Sequence, residues 1–255
     1  MAAASRRGPT GPFELSTGFL VAGGLLAGLL WKENKADGGD SSSKPSIREA
    51  VDVIRGDPKI MLVGAVQSLF EAAMYIFVLQ WPPAISKAVS KAFGSGSATP
   101  YGTVFSCFMA SCLLGSTLFG QLAKTGVATE VSASSMLSVA TLAMTAATFI
   151  VSTASPTLGM SLTGLMAAFF AFEACVGMYF PSIGTLRSKY VPDSHRSVIM
   201  NLFGIPLNLL VVSVFLSAKR LGVNGALTVS SGALGIATLC MFKLRSMASG
   251  KAAGA

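Results

Sequence analysis

The stretch Phe70-Glu71-Ala72-Ala73-Met74-Tyr75-Ile76-Phe77 returns about a hundred residues later as Phe172-Glu173-Ala174-Cys175-Val176-Gly177-Met178-Tyr179-Phe180. Each copy sets one carboxylate, Glu71 or Glu173, inside an otherwise apolar run. A charge at the centre of a membrane helix costs about 2.5–3.5 kcal/mol on insertion scales, so it faces a bundle interior or water and has a partner or a job. Two such charges in near copies of one phrase raise the question of what surrounds them.

Composition supplies the setting. The 255 residues are 52% hydrophobic and 12% charged, with a mean hydropathy of +0.64. A soluble domain carries about 25% charged residues. The chain therefore reads as an all-α polytopic membrane protein that contacts the lipid bilayer. Its net charge is +8, but the 19 basic residues sit mostly between apolar runs. They act as topology determinants and do not form the clustered basic and aromatic surface that a nucleic acid needs. Cys107, Cys112, Cys175 and Cys240 lie in apolar runs without a CxxC spacing, and His195 is the single histidine. No cofactor, metal set or disulfide framework follows from these residues. Asp193-Ser194-His195 is contiguous, the wrong geometry for a hydrolytic triad, so no enzyme is expected.

A spanning helix needs roughly 20 apolar residues. Seven runs qualify, at about 14–31, 59–84, 102–123, 132–152, 158–181, 198–217 and 223–242. The first follows Arg6-Arg7 but lacks a small-residue cleavage site, so it is read as a retained helix rather than a signal peptide. Between the runs, twelve Lys/Arg residues fall on one side and six on the other. The positive-inside rule then places the N-terminus outside and the C-terminus in the cytoplasm. The chain divides into residues 1–31, a cytoplasmic linker 32–57, a six-helix unit 58–243 and a tail 244–255. In the linker, residues 38–43 are expected to be flexible. Residues 47–54 (IREAVDVI) have the spacing of a short amphipathic surface helix.

The six helices split into two triplets, and the repeated phrase lies in the first helix of each. An odd number of helices inverts the second triplet, as in many secondary transporters. Gln67 and Glu71 are four apart and share a face that Tyr75 continues. On that reading Gln67, Glu71, Tyr75 and Glu173 border a central path, where the acids carry a coupling proton or hold a basic partner. The competing reading makes each glutamate a hydrogen-bonded helix contact. Asn201 and Asn208 are two turns apart around Pro206, which permits a kink; such neutral donors suit an oxyanion or a sugar, or simply join helices. Trp81-Pro82-Pro83 and Tyr179-Phe180-Pro181 are expected to mark helix ends. Arg187 and Lys189 then lie on the cytoplasmic side, as topology anchors or as one half of a gating salt bridge.

Four blocks now carry a resemblance: RGDPKIMLVGAVQSLFEAAMYIFVLQWPPAI (55–85), FSCFMASCLLGS (105–116), FEACVGMYFPSIGTLRSKYVP (172–192) and NLFGIPLN (201–208). The chain resembles the molybdate-anion transporter family of the major facilitator superfamily. That resemblance implies seven of twelve helices: one preceding helix, then the C-terminal six-helix half as two inverted three-helix repeats. It implies molybdate or a related oxyanion as substrate, a plasma-membrane location, and a missing N-terminal half or a second chain as partner. It also places the helices of Glu71 and Glu173 on the central cavity. Two departures stand out. Gly204 occupies the place of the family's arginine, and Gly120-Gln121-Leu122-Ala123-Lys124 lacks the acid of the superfamily loop signature. A seven-helix receptor, a nonenzymatic scaffold or subunit, and transport of a sugar or other small solute are the rival readings.

Overall fold

The computed structural model describes Gly8 and residues 10–31, 46–153 and 161–252. Among these residues eight helices follow in order: α1 (Gly11–Leu30), α2 (Ile47–Gly56), α3 (Pro58–Phe93), α4 (Tyr101–Lys124), α5 (Thr129–Ser152), α6 (Leu162–Tyr190), α7 (Arg196–Leu216) and α8 (Ala218–Ala252). All but α2 are long and apolar enough to cross a membrane, and no strand occurs among the described residues. The fold is that of an all-α membrane protein. The flexible stretch expected at 38–43 lies outside the described residues.

The chain forms two units, residues 1–44 and 45–255. In the first, α1 is one helix of 20 residues, close to 30 Å long, the thickness of a bilayer's hydrocarbon core. In the second, α2 starts at a capping box: the Ser46 hydroxyl accepts from Glu49 N (3.2 Å) and the Glu49 carboxylate accepts from Ser46 N (3.0 Å). Its apolar side seats Ala50 against Ile60, Val191, Ile199 and Phe203.

The expectation that prolines end two helices is overturned. Helix α3 runs through Pro82 and Pro83 to Phe93, and α6 through Pro181 to Tyr190, so residues 182–190 are helical. Packing is the reason. Beyond the prolines, Ala84, Ile85, Ala88 and Val89 on α3, and Ile183 and Leu186 on α6, recur at helical spacing and are buried in the core. In α6 the turn also gains hydroxyl donors: Ser182 Oγ donates to Met178 O (2.7 Å) and Thr185 Oγ1 to Pro181 O (2.9 Å). Pro206 likewise sits inside α7. In α8, Gly222 takes φ +60° and breaks the helix, so the continuous spanning segment begins at Val223, where the sequence places it.

The closely packed pairs among α3–α8 are α3·α6, α3·α7, α3·α8, α4·α5, α4·α6, α5·α6, α5·α8 and α7·α8. Exchanging α3 with α6, α4 with α7 and α5 with α8 returns the same set. The two triplets are therefore arranged as repeats, as the duplicated phrase suggests. Helices α4 and α6 cross at bare backbone. A Cβ on Gly115 would lie 1.8 Å from Ala174 O, and one on Gly177 1.8 Å from Cys112 O. Such close approach is how small residues join membrane helices.

Candidate functional site

The buried polar network of the six-helix unit joins α3 to α6. Gln67 and Glu71 stand one turn apart on α3, and Arg187 reaches them from the last turn of α6. Arg187 Nε donates to Gln67 Oε1 (3.0 Å), and an Arg187 terminal nitrogen donates to Glu71 Oε1 (3.0 Å). The Tyr179 hydroxyl donates to the same Glu71 oxygen at 2.9 Å. Tyr179 is positioned by its ring, which stacks on Phe70 with centroids 4.0 Å apart. Gln67 and Tyr179 are buried, whereas the Arg187 and Glu71 side chains keep 27% and 19% exposure. The ion pair is therefore reachable from one side. Tyr75, one turn beyond Glu71, is exposed on that helix.

The structure thus brings Gln67, Glu71 and Arg187 together and leaves Tyr75 beside them. It adds Tyr179, which the sequence reading passes over. The signal for it is in the repeat: the residue six after Glu173 is a tyrosine, and the residue six after Glu71 is Phe77.

Glu173 is elsewhere. It is 7% exposed and makes no hydrogen bond or ion pair with any described residue. It shares a helix face with Gly177, whose backbone touches α4, and sits six residues, or about 9 Å along α6, from Tyr179. The two acids do not share a site. On α7, Asn201 and Asn208 are exposed. The Asn208 amide donates to Gly204 O (2.8 Å), across the turn that holds Pro206. A Cβ on Gly204 would meet only Asn208 Nδ2, at 3.8 Å, so this position has room for a side chain.

A second polar cluster binds the ends of α5 and α6. Lys189 Nζ donates to Glu130 Oε1 (2.6 Å), and the Tyr190 hydroxyl donates to the same oxygen (2.5 Å). Glu130 is 3% exposed, and Lys59 and Lys189 place their ammonium groups 5.7 and 5.4 Å from the Tyr190 ring centre. No group of three metal-ligating side chains occurs among the described residues.

Comparison with known proteins bears on this arrangement. A family model described as sugar transporters with twelve transmembrane segments matches residues 1–172. The molybdate-anion transporter of Xenopus tropicalis is 28% identical over 244 residues, covering 94% of this chain and 51% of that protein. That of Danio rerio is 32% identical over 226 residues, covering 80% and 44% respectively. That of Takifugu rubripes is 29% identical over 226 residues, covering 80% and 45%. The chain spans about half the length of these relatives. No solved structure matches it.

Proposed function

Because the chain belongs to this family of twelve-span transporters in the major facilitator superfamily, we propose that it forms one half of a secondary transporter for molybdate or a similar oxyanion. The α3–α6 network is its anion- and proton-responsive centre. The observation that carries this reading is Arg187 held between Gln67 and Glu71.

A guanidinium has five N–H donors in a planar fork suited to oxyanions. Two are engaged by Gln67 and Glu71, and three remain on a side chain that keeps access to one side of the bundle. An incoming dianion competes with the Glu71 carboxylate for the same cation. Proton uptake by Glu71 removes that competitor and offsets one negative charge. Anion binding and protonation of Glu71 therefore favour each other, and the coupling is reciprocal. Gln67 and Tyr179 keep Arg187 and Glu71 in place whichever partner is bound. Asn201 and Asn208 add neutral donors from α7. The exposed flank of α3, with Tyr75 and Val78, turns to the half that completes the cavity, since such cavities form between repeats. The excess of Lys/Arg on the α2 side supports a cytoplasmic position for that side.

The test is uptake of radiolabelled molybdate by cells expressing the chain together with the helices that complete the twelve-span fold. Arg187→Gln is expected to lower uptake at least about tenfold, as loss of one buried charge partner does. Glu71→Gln is expected to remove the dependence on a proton gradient. Wild-type rates and pH dependence in both variants would reject the centre. A sugar substrate is the second reading, favoured by the family description and by glycine at position 204. Competition of labelled molybdate by unlabelled sulfate, but not by hexose, separates the two.

A further inference from the structure

The groove that α2 roofs, between α3 and α7, has no role in the site above. It encloses about 490 Å³ and runs from Arg55 and Met61 at the α2 end to Leu69 and Leu210 within the bundle. Along α3 that is eight residues, or a depth of about 12 Å. Its walls are apolar except for Ser68 and Arg55. Ser68 has no donor to spare for an occupant, because its single hydroxyl proton is shared between Gly64 O (2.8 Å) and Phe203 O (2.7 Å). The bore therefore accepts hydrocarbon and rejects a sugar or an oxyanion, either of which would lose its hydration without gaining partners.

Arg55 gives the mouth its charge. It stands in the last turn of α2, is exposed, and forms no ion pair among the described residues. Helix α2 buries Ala50 against Ile60 and Phe203 and leaves its charged side exposed, the amphipathic pattern of helices that lie at lipid-headgroup level. A cation at the mouth of an apolar groove matches one molecule in both parts.

We propose that this groove is a binding site for an anionic phospholipid of the leaflet on the α2 side. One acyl chain lies between α3 and α7, and the head phosphate sits on Arg55. The site ties α2, the helix that precedes the six-helix unit, to α3 and α7 through a bound lipid. It is independent of the transported substrate.

The experiment is native mass spectrometry of the full chain, released from nanodiscs of equal phosphatidylglycerol and phosphatidylcholine. Wild type is expected to retain one phosphatidylglycerol in preference to phosphatidylcholine. Arg55→Gln is expected to lower that preference about fivefold, the factor for one basic group near an anionic lipid surface. Arg55→Lys, which keeps the charge, restores most of it. Ala65→Phe, which fills the bore, removes retention of both lipids while circular dichroism reports an unchanged helix content. Equal retention of the two lipids by wild type overturns the headgroup assignment. Undiminished retention in Ala65→Phe overturns the groove.

Discussion

Glu71 and Glu173 hold matching places in two copies of one phrase, and their surroundings are opposites. Four residues before Glu71 stands Gln67, which binds Arg187; four before Glu173 stands Phe169. Six after Glu173 stands Tyr179, whose hydroxyl reaches across to Glu71; six after Glu71 stands Phe77, which has no hydroxyl to return. Fourteen after Glu173 is Arg187, and fourteen after Glu71 is the buried Ile85. The ring contacts survive in both copies: Tyr179 stacks on Phe70 at 4.0 Å, and Phe77 packs on Phe172 at 5.0 Å. The repeat has thus kept its apolar packing and given every polar partner to one acid. One carboxylate is an addressable ion pair; its twin is buried without a partner beside a helix crossing.

The largest expected effect comes from breaking the favoured half. Arg187→Leu leaves Glu71 with Tyr179 alone. We expect a loss of about 3 kcal/mol, the low end for removing one member of a buried pair, since both groups keep some solvent contact. The thermal unfolding midpoint in detergent reads it. The double variant Arg187→Leu/Glu71→Leu is expected to recover most of the loss, because no unpaired charge remains. Equal losses in the single and double variants would show that the pair is not coupled.

The other half gives the opposite sign. Glu173 has no described partner, so Glu173→Leu removes a polar group from an apolar contact without orphaning another. It is expected to be neutral or to stabilise by about 1 kcal/mol, and to leave any uptake by the completed twelve-span assembly unchanged. A variant that folds with a raised midpoint but loses uptake would return the coupling role to Glu173, and the two acids would no longer differ in function.

These two outcomes also mark how far the sequence could be read. The seven spans were legible because their apolar runs exceed the bilayer thickness, and the break at Gly222 coincides with the start of the seventh run. The amphipathic helix before the six-helix unit was legible from its spacing, and the structure adds the Ser46/Glu49 capping box that starts it. The ends of α3 and α6 were not. A proline weakens a helix by local rules, and only the burial of Ala84, Ile85, Ile183 and Leu186 in the assembled core carries the helix past it. In the site, Gln67 and Glu71 announced themselves by sharing a face. Arg187 near a helix end has the same local signature whether it anchors topology or pairs across the bundle. That choice depends on which helix lies opposite, a long-range fact. Glu173 looked equivalent to Glu71 because the phrase around it is nearly the same. What separates them is contributed by residues four to fourteen positions away and by the facing helix.

The smallest effects test whether the asymmetry rests on a hydroxyl. Tyr179→Phe keeps the stack on Phe70 and deletes the donor to Glu71; the expected cost is about 1.5–3 kcal/mol, as for a hydrogen bond to a charged group. Phe77→Tyr is the reciprocal change. If the exchange of α3 with α6 holds at atomic scale, the new hydroxyl points at Glu173 as that of Tyr179 points at Glu71. Phe77→Tyr should then be tolerated within about 0.5 kcal/mol, because the added hydroxyl finds an acceptor when it is buried. In a Glu173→Leu background the same change should cost about 1–2 kcal/mol, since the hydroxyl is then orphaned among Phe169, Phe172 and leucine. The difference between the two backgrounds, read from unfolding midpoints, is a coupling energy between positions 77 and 173. A coupling near zero would mean that Phe77 and Glu173 do not face each other. The repeat would then hold for the helices and their rings but not for the acids it carries.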